Sequence, residues 1–131
     1  MREELCKHLE MIQGVITRMA TNSFLVRGWS ITLVSALFAL SDKDADRSFV
    51  LISYFPCGLF WFLDAFYLSQ ERRYRALYDS VRLNTGPVDF NMNAPSPAGT
   101  GWIAALFSST MVLFHGAMAL AILAVAVLIK N

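Results

Sequence analysis

The chain has 131 residues, of which 56% are hydrophobic and 16% are charged, and its formal net charge is +1. Soluble domains are typically about 45–50% apolar and about 25% charged, and a chain this short has too little interior to bury the excess apolar surface. This composition, with a mean hydropathy of +0.47, therefore excludes an ordinary soluble domain and predicts an all-α integral membrane protein.

Residues 1–83 are predicted to form an amphipathic N-terminal helix, a transmembrane hairpin and a cytoplasmic helical extension. Apolar or small side chains recur at alternating spacings of four and three at the start of this segment, which is a heptad seam. The seam comprises Leu5, Leu9, Ile12, Ile16, Met19, Ser23 and Val26. It is compatible with pairing inside the chain and with pairing between chains.

Two apolar segments, Phe24 to Leu40 and Phe49 to Leu68, are the predicted first and second spans, joined by the short polar turn Ser41 to Ser48. A helix needs roughly 20 apolar residues to cross a bilayer. The second helix is predicted to run on from Ser48 to Leu83, with a kink or a local loosening at Pro56.

Residues 84–101 are rich in Gly, Pro, Asn and Ser and are predicted to be a cytoplasmic loop. Residues 102–131 hold the predicted third span, Trp102 to Ile129, which contains no formal charge. Eight of the Lys and Arg residues fall on one side of these spans and three on the other. The positive-inside rule then predicts a bacterial inner-membrane protein with a cytoplasmic N-terminus and a periplasmic C-terminus.

Three ionisable residues lie within the predicted spans: Arg27, Asp64 and His115. Counted from the outer ends, each lies about 21–24 Å deep, so the three are expected near one plane of the inner leaflet. Charged groups in a membrane are costly and pair with one another or mark a functional path. The pattern predicts an intramembrane polar network, and it leaves open a purely structural pair, a gate or path lining, and a proton relay.

A charged helical stretch follows the second span and is predicted to be the cytoplasmic surface for a signal or partner. It comprises Glu71, Arg72, Arg73, Arg75, Tyr78, Asp79 and Arg82. A topology signal that contacts anionic headgroups is the alternative interpretation of its arginines. Direct nucleic-acid binding is not expected, because arginines beside a membrane need no such explanation.

The sequence shows no nucleophile with a base at motif spacing, no phosphate-binding Gly-rich loop and no metal-ligand spacing. We therefore expect no enzymatic activity, no catalytic residue, no metal and no cofactor. The expected partners are the lipid bilayer, further copies of the chain and a cytoplasmic sensor or effector protein.

The strings NSFLVRGWSITLVSALFAL and FWFLDAFYLSQERRYRALYDSVR, with the pattern E-R-x-x-R-x-L-Y-D-x-V-R, resemble the SLATT group of small bacterial membrane proteins from anti-phage defence systems. The resemblance covers Asn22 to Arg82. It implies that the signature residues are Asp64, Glu71, Arg72, Arg75, Tyr78, Asp79 and Arg82. The third span is a departure from the two-helix pattern of that group.

The resemblance implies a homo-oligomeric, pore-forming effector of antiviral defence that a cytoplasmic sensor partner triggers. The alternative is a membrane anchor or scaffold that recruits a soluble complex and conducts nothing. A small transporter is a third reading, although the broken helices and inverted repeats typical of transporters are not visible.

Overall fold

The computed structural model describes the backbone of residues 3–44 and 51–130 and the side chains of residues 3–39 and 51–128. The all-α prediction is confirmed. The helices in chain order are α1 (Glu3–Asp44), α2 (Tyr54–Arg82), the short α3 (Trp102–Leu106) and α4 (Ser109–Lys130).

The heptad seam of α1 packs against α2 of the same chain, so the structure shows the intramolecular form of pairing. Ile12 and Ile16 are buried against Leu77 and Val81 at one end, and Val34 is buried against Cys57 at the other. The two helices are therefore antiparallel. Seam pairing explains why α1 continues as one 42-residue helix through both its polar and its apolar halves.

Two hydrophobic clusters hold the fold, one near each end of α2. The stalk cluster has the buried core Ile12, Ile16, Leu77, Val81 and Ala94, with Leu5, Leu9, Tyr74, Tyr78 and Met92 packed around it. The distal cluster joins all three long helices through Val34, Cys57, Ile122 and Ala126. Tyr54 also donates a hydrogen bond to the Ala119 carbonyl at 3.2 Å, which fixes the start of α2 against α4.

The predicted continuous helix from Ser48 to Leu83 is wrong in one respect, because a turn at Ser53 interrupts it and α2 starts at Tyr54. Pro56 therefore lies in the first turn of α2 and does not kink the middle of a span. A proline is tolerated there because the first helical N–H groups have no partner inside the helix. Phe49, at which the predicted second span starts, lies outside the described residues.

The predicted third span is divided in two. α3 ends at Leu106, and α4 starts at Ser109 after a tight turn in which Ser108 N–H donates to the Ala105 carbonyl. The indole of Trp61 donates to the Leu106 carbonyl at 3.0 Å, so a side chain from α2 satisfies a backbone group at the break. This contact explains how a sequence without Gly or Pro leaves the helical path here.

Within the described residues one helical stretch of 20 residues, Ser109–Leu128, is long and apolar enough to cross a membrane, and its most apolar 18-residue window has a mean hydropathy of 2.5. The structure thus shows one candidate transmembrane helix near the C-terminus, not the three that we predicted. The first and second spans stay predictions, and both reach into residues 40–50, whose side chains lie outside the described part.

The segment between α2 and α3 has no helix. It lies along the stalk, which is the paired part of α1 and α2 that encloses the stalk cluster, instead of extending away from it. Its carbonyl oxygens accept hydrogen bonds from helix side chains: Asn91 from His8 at 2.8 Å, Ala94 from Arg73 at 3.0 Å and Thr100 from Ser69 at 2.6 Å. Ala94 is buried in the stalk cluster. The loop is therefore a packed part of the fold.

Candidate functional site

Asp64 is a fully buried carboxylate halfway along α2, between the stalk cluster and the distal cluster. Four side chains from three helices meet there, and we call them the Asp64 cluster: Ser23 and Arg27 from α1, Asp64 from α2 and His115 from α4. The structure therefore brings together the three ionisable residues that the sequence singled out, Arg27, Asp64 and His115.

The two carboxylate oxygens of Asp64 have different partners. Oδ2 accepts from Arg27 Nε at 2.8 Å and lies 2.8 Å from His115 Nε2, whereas Oδ1 accepts from the Ser23 hydroxyl. The guanidinium of Arg27 also lies over the Phe114 ring, 5.6 Å from its centroid. A buried charge is tolerated when it is paired and its lone pairs are satisfied, and this arrangement meets both conditions.

His115 is held in one orientation by aromatic neighbours. Trp61 stacks on its ring with centroids 5.8 Å apart, and Phe114 meets it edge-on at 4.9 Å. An ionised carboxylate only accepts hydrogen bonds, so Nε2 carries the proton that points to Asp64. Nδ1 is buried and has no partner among the described residues.

This geometry does not match nucleophilic catalysis. In a Ser-His-Asp triad the histidine lies between the other two groups and takes the proton of the serine. Here Ser23 donates directly to the carboxylate, and the imidazole contacts only the other carboxylate oxygen. In the described part of the chain no three His, Cys, Asp or Glu side chains are placed to hold a metal ion. The cluster is suited to cross-linking three helices through charge.

Three residues with hydroxyl groups, Ser30, Thr32 and Ser35, lie within the predicted first span, and the structure places them on two different sides of α1. Ser30 faces the protein interior, is fully buried, and its hydroxyl has no partner within the described residues. Thr32 and Ser35 are exposed on the opposite side of α1. Any path lined by Thr32 and Ser35 would therefore run outside a single chain.

The predicted partner surface also divides into two parts. Four of its residues form ion pairs along one side of α2, Glu71 with Arg75 at 3.3 Å and Asp79 with Arg82 at 3.2 Å, and all of them except Glu71 are exposed. The other three are engaged inside the fold. Arg72 donates to the Gly99 carbonyl at 3.1 Å, Arg73 donates to the loop and Tyr78 packs on the stalk cluster.

Sequence reasoning missed two members of the site. Ser23 was assigned only to the heptad seam, and Trp61 was not singled out at all. A signal for Ser23 exists, because it is the polar position of an otherwise apolar seam and precedes Arg27 by one helical turn. Trp61 precedes Asp64 by three residues on α2, so the ring that orients His115 lies on the same face as the carboxylate.

No protein-family model matches this chain, and neither a curated protein nor a solved structure matches it.

Proposed function

We propose that this protein is a non-enzymatic, homo-oligomeric effector of a bacterial inner membrane, which opens a path between its subunits when a cytoplasmic partner acts on the stalk. Residues of α1, α2 and α4 would cross the membrane, with the Asp64 cluster tying the three spans of each chain together. Antiviral defence is the biological setting that the SLATT resemblance supports.

One observation carries this proposal: the face of α1 that points away from α2 is small and polar where the predicted span crosses the membrane. Gly28, Thr32 and Ser35 recur at spacings of four and three and are exposed. Large apolar side chains flank them, including Phe24 at 74% and Trp29 at 61% exposure. Lipid suits the flanks, whereas small residues suit the close approach of another helix.

The hydroxyls on this face give it the chemistry of a path lining. Thr32 donates to the Gly28 carbonyl of its own helix at 2.9 Å, which leaves its oxygen lone pairs as acceptors. Ser35 has no hydrogen-bond partner among the described residues. A ring of α1 helices would place these groups around a common centre.

The surface of α4 supports a membrane location. Only 22% of its most apolar window is buried within the chain, whereas the core helix of a soluble protein is mostly buried. Leu113, Leu120 and Leu128 are 75%, 67% and 75% exposed. Apolar surface on this scale needs lipid or another protein to cover it.

We expect Gly28→Leu to prevent self-association without harming the single chain. A Cβ at Gly28 meets no atom within 4 Å, and leucine is the better helix former by about 1 kcal/mol. Sedimentation in detergent micelles should show the dissociation constant of the oligomer raised by about tenfold or more. Leu33→Ala is the control, since Leu33 is exposed on the same helix but lies about 100° or more around the helix axis from each of the three residues of that face. Equal association of both variants and the wild type would place the interface elsewhere.

We expect dye-loaded liposomes that contain the protein to leak when the product of the gene beside its own is added. Replacing Thr32 and Ser35 together by leucine should abolish leakage, because an apolar centre sheds water and stops conduction. Leu33→Ala should leak as the wild type does. Leakage that persists in the double variant would exclude these hydroxyls as the path lining.

The anchor reading has its own supporting observation in the charged stripe of Glu71, Arg75, Asp79 and Arg82 on α2, of which the last three are exposed. Absence of leakage, together with partner binding that is lost when Arg75 and Arg82 are replaced by alanine, would favour an anchor. The same assay thus separates the two functions.

A further inference from the structure

A second site lies where α2, the loop and α3 meet. A cavity of about 570 Å³ opens there, and its lining combines polar residues of α2 and the loop with aromatic rings, including Ser69, Gln70, Arg73, Phe66, Thr100 and Trp102. Ligand cavities typically measure about 300–1,000 Å³. The space is large enough for a small headgroup.

Within the described part of the chain, the lining of this cavity carries positive charge and no negative charge. Arg73 is its single ionised side chain, and no carboxylate is among its lining residues. Arg75 and Arg82 on the same helix pair with Glu71 and Asp79. Arg73, in contrast, contacts no carboxylate among the described residues and donates only to neutral carbonyls, those of Ala94 and Pro95.

These carbonyls hold the guanidinium in place and leave donors unused. Nε points to Pro95 O at 3.3 Å and Nη2 to Ala94 O at 3.0 Å. An arginine has five N–H donors in a fixed fork that matches the oxygens of a phosphate. The amide of Gln70, which has no partner among the described residues, adds further donors to the same lining. A pre-positioned cation with free donors and no counter-charge is suited to an anionic oxygen group.

The apolar side of the cavity indicates the source of that group. Phe66 is 46% exposed and Trp102 is 42% exposed. Trp102 stacks on Phe62 with ring centroids 5.3 Å apart, which extends the apolar surface along α2. Ser69 directly follows the end of the predicted second span at Leu68, so the site lies at the expected level of lipid headgroups. A phospholipid presents both parts that this lining needs, a phosphate and an acyl chain.

We propose that this cavity binds the phosphate of an anionic membrane phospholipid, with the phosphate on Arg73 and Gln70 and the acyl chain along Phe66 and Trp102. The bound lipid would join α2 to the loop at the point where Ser69 donates to the Thr100 carbonyl. The inference rests on the membrane location proposed above, but it requires neither conduction nor a partner protein.

The test is a titration of the detergent-purified full chain with short-chain phosphatidylglycerol, with bound lipid counted by native mass spectrometry. The wild type should retain one lipid per chain, and phosphatidylcholine of the same chain length should bind more weakly. Arg73→Gln should weaken phosphatidylglycerol binding by about tenfold, which corresponds to one charge-assisted hydrogen-bond contact, and Arg73→Lys should recover part of it. Arg75→Gln is the matched control, because it removes an arginine that is already paired, and it should leave binding unchanged.

Arg73 also holds the loop, so a second variant is needed to separate loss of the charge from loss of the loop structure in Arg73→Gln. Ala98→Phe fills the cavity without replacing the arginine and should also abolish binding, with circular dichroism unchanged. Equal loss in Arg73→Gln and Arg75→Gln, or equal binding of the two lipids, would overturn the proposal. Binding of inorganic phosphate that depends on Arg73, without binding of phosphatidylglycerol, would overturn the lipid as the source. Unchanged phosphatidylglycerol binding in Arg73→Gln, together with normal liposome leakage of the wild type, would refute this site alone and leave the effector proposal standing.

Discussion

Asp64→Ala should lower the free energy of unfolding by about 3–5 kcal/mol, because removing one partner of a buried ion pair leaves the others without compensation. The substitution removes the hydrogen-bond acceptor of three groups: the Arg27 guanidinium, the buried Nε2–H of His115 and the Ser23 hydroxyl. The measurement is chemical denaturation of the purified protein in detergent micelles, followed by circular dichroism.

Asp79→Ala is the matched control for this experiment. It removes the same side chain from the same helix, but Asp79 is 67% exposed and pairs with Arg82 on the surface. Exposed pairs typically contribute about 0.2–1 kcal/mol. A loss in Asp64→Ala no larger than in Asp79→Ala would show that the Asp64 cluster does not hold the helices together.

Adding Arg27→Ala to Asp64→Ala should restore part of the loss, because the double variant no longer carries an unpaired guanidinium. The Arg27 side chain is 30% exposed, and it reaches solvent more easily than His115, which is fully buried. The recovery should therefore be incomplete, with a coupling energy of about 0.5–3 kcal/mol between the two sites. Strict additivity of the two single losses would contradict direct pairing.

The presence of a pairing face on α1 could be predicted from the sequence, because such a face rests on periodicity. The seam from Leu5 to Val26 repeats every three to four residues, and this spacing puts its members on one helical face. Whether that face pairs inside the chain or between chains is not encoded in the spacing. The structure resolves it through the opposing residues Leu77 and Val81.

The Asp64 cluster could be predicted in outline because charges in apolar segments are rare and must find partners. Depth counting brought Arg27, Asp64 and His115 to one level. The same count could not identify Ser23 or Trp61, because a hydroxyl or an indole in an apolar helix does not carry the free-energy cost of a charge. Their roles depend on the rotation of α1 and α4 about their axes, which only tertiary packing fixes.

The position of the loop between α2 and α3 could not be predicted from the sequence. Its Gly, Pro and Asn content correctly indicated the absence of helix, but composition says nothing about where a loop lies. Its position depends on single side-chain donors, such as His8 to Asn91 O and Arg73 to Ala94 O, that are distant in sequence. The partner surface on α2 stays a prediction, and nothing in the sequence indicated that two of its arginines, Arg72 and Arg73, also donate to the loop.

The breaks at Ser53 and Phe107 were not predicted, although both divide segments of continuous apolar character. Hydropathy measures whether a segment suits lipid, not whether its helix is continuous. Pro56 marked the first break three residues late, consistent with the tolerance for proline in an opening turn. The second break has no local marker, and the Trp61 indole stabilises it from another helix.

Ile12→Ala should lower the free energy of unfolding by about 2–5 kcal/mol, the usual range for removing a fully buried isoleucine side chain. Ile12 is 0% exposed and lies in the stalk cluster between Leu77 of α2 and Ala94 of the loop. Met11→Ala is the control, since Met11 is the next residue but is 47% exposed, and it should change stability by less than about 0.5 kcal/mol.

The region of the chain that Ile12→Ala destabilises shows whether the two ends of the molecule unfold independently. The Asp64 cluster lies between the stalk cluster and the distal cluster, so loss of stalk packing need not reach the contact of Val34 with Ile122. Amide hydrogen exchange should therefore rise in residues 8–16, 74–82 and 89–95 while residues 115–126 keep their protection. A uniform rise along the chain would mean that the stalk and the apolar helices unfold as one unit. A local rise would mean that the stalk can be loosened by itself, which the proposed trigger at the predicted cytoplasmic end requires.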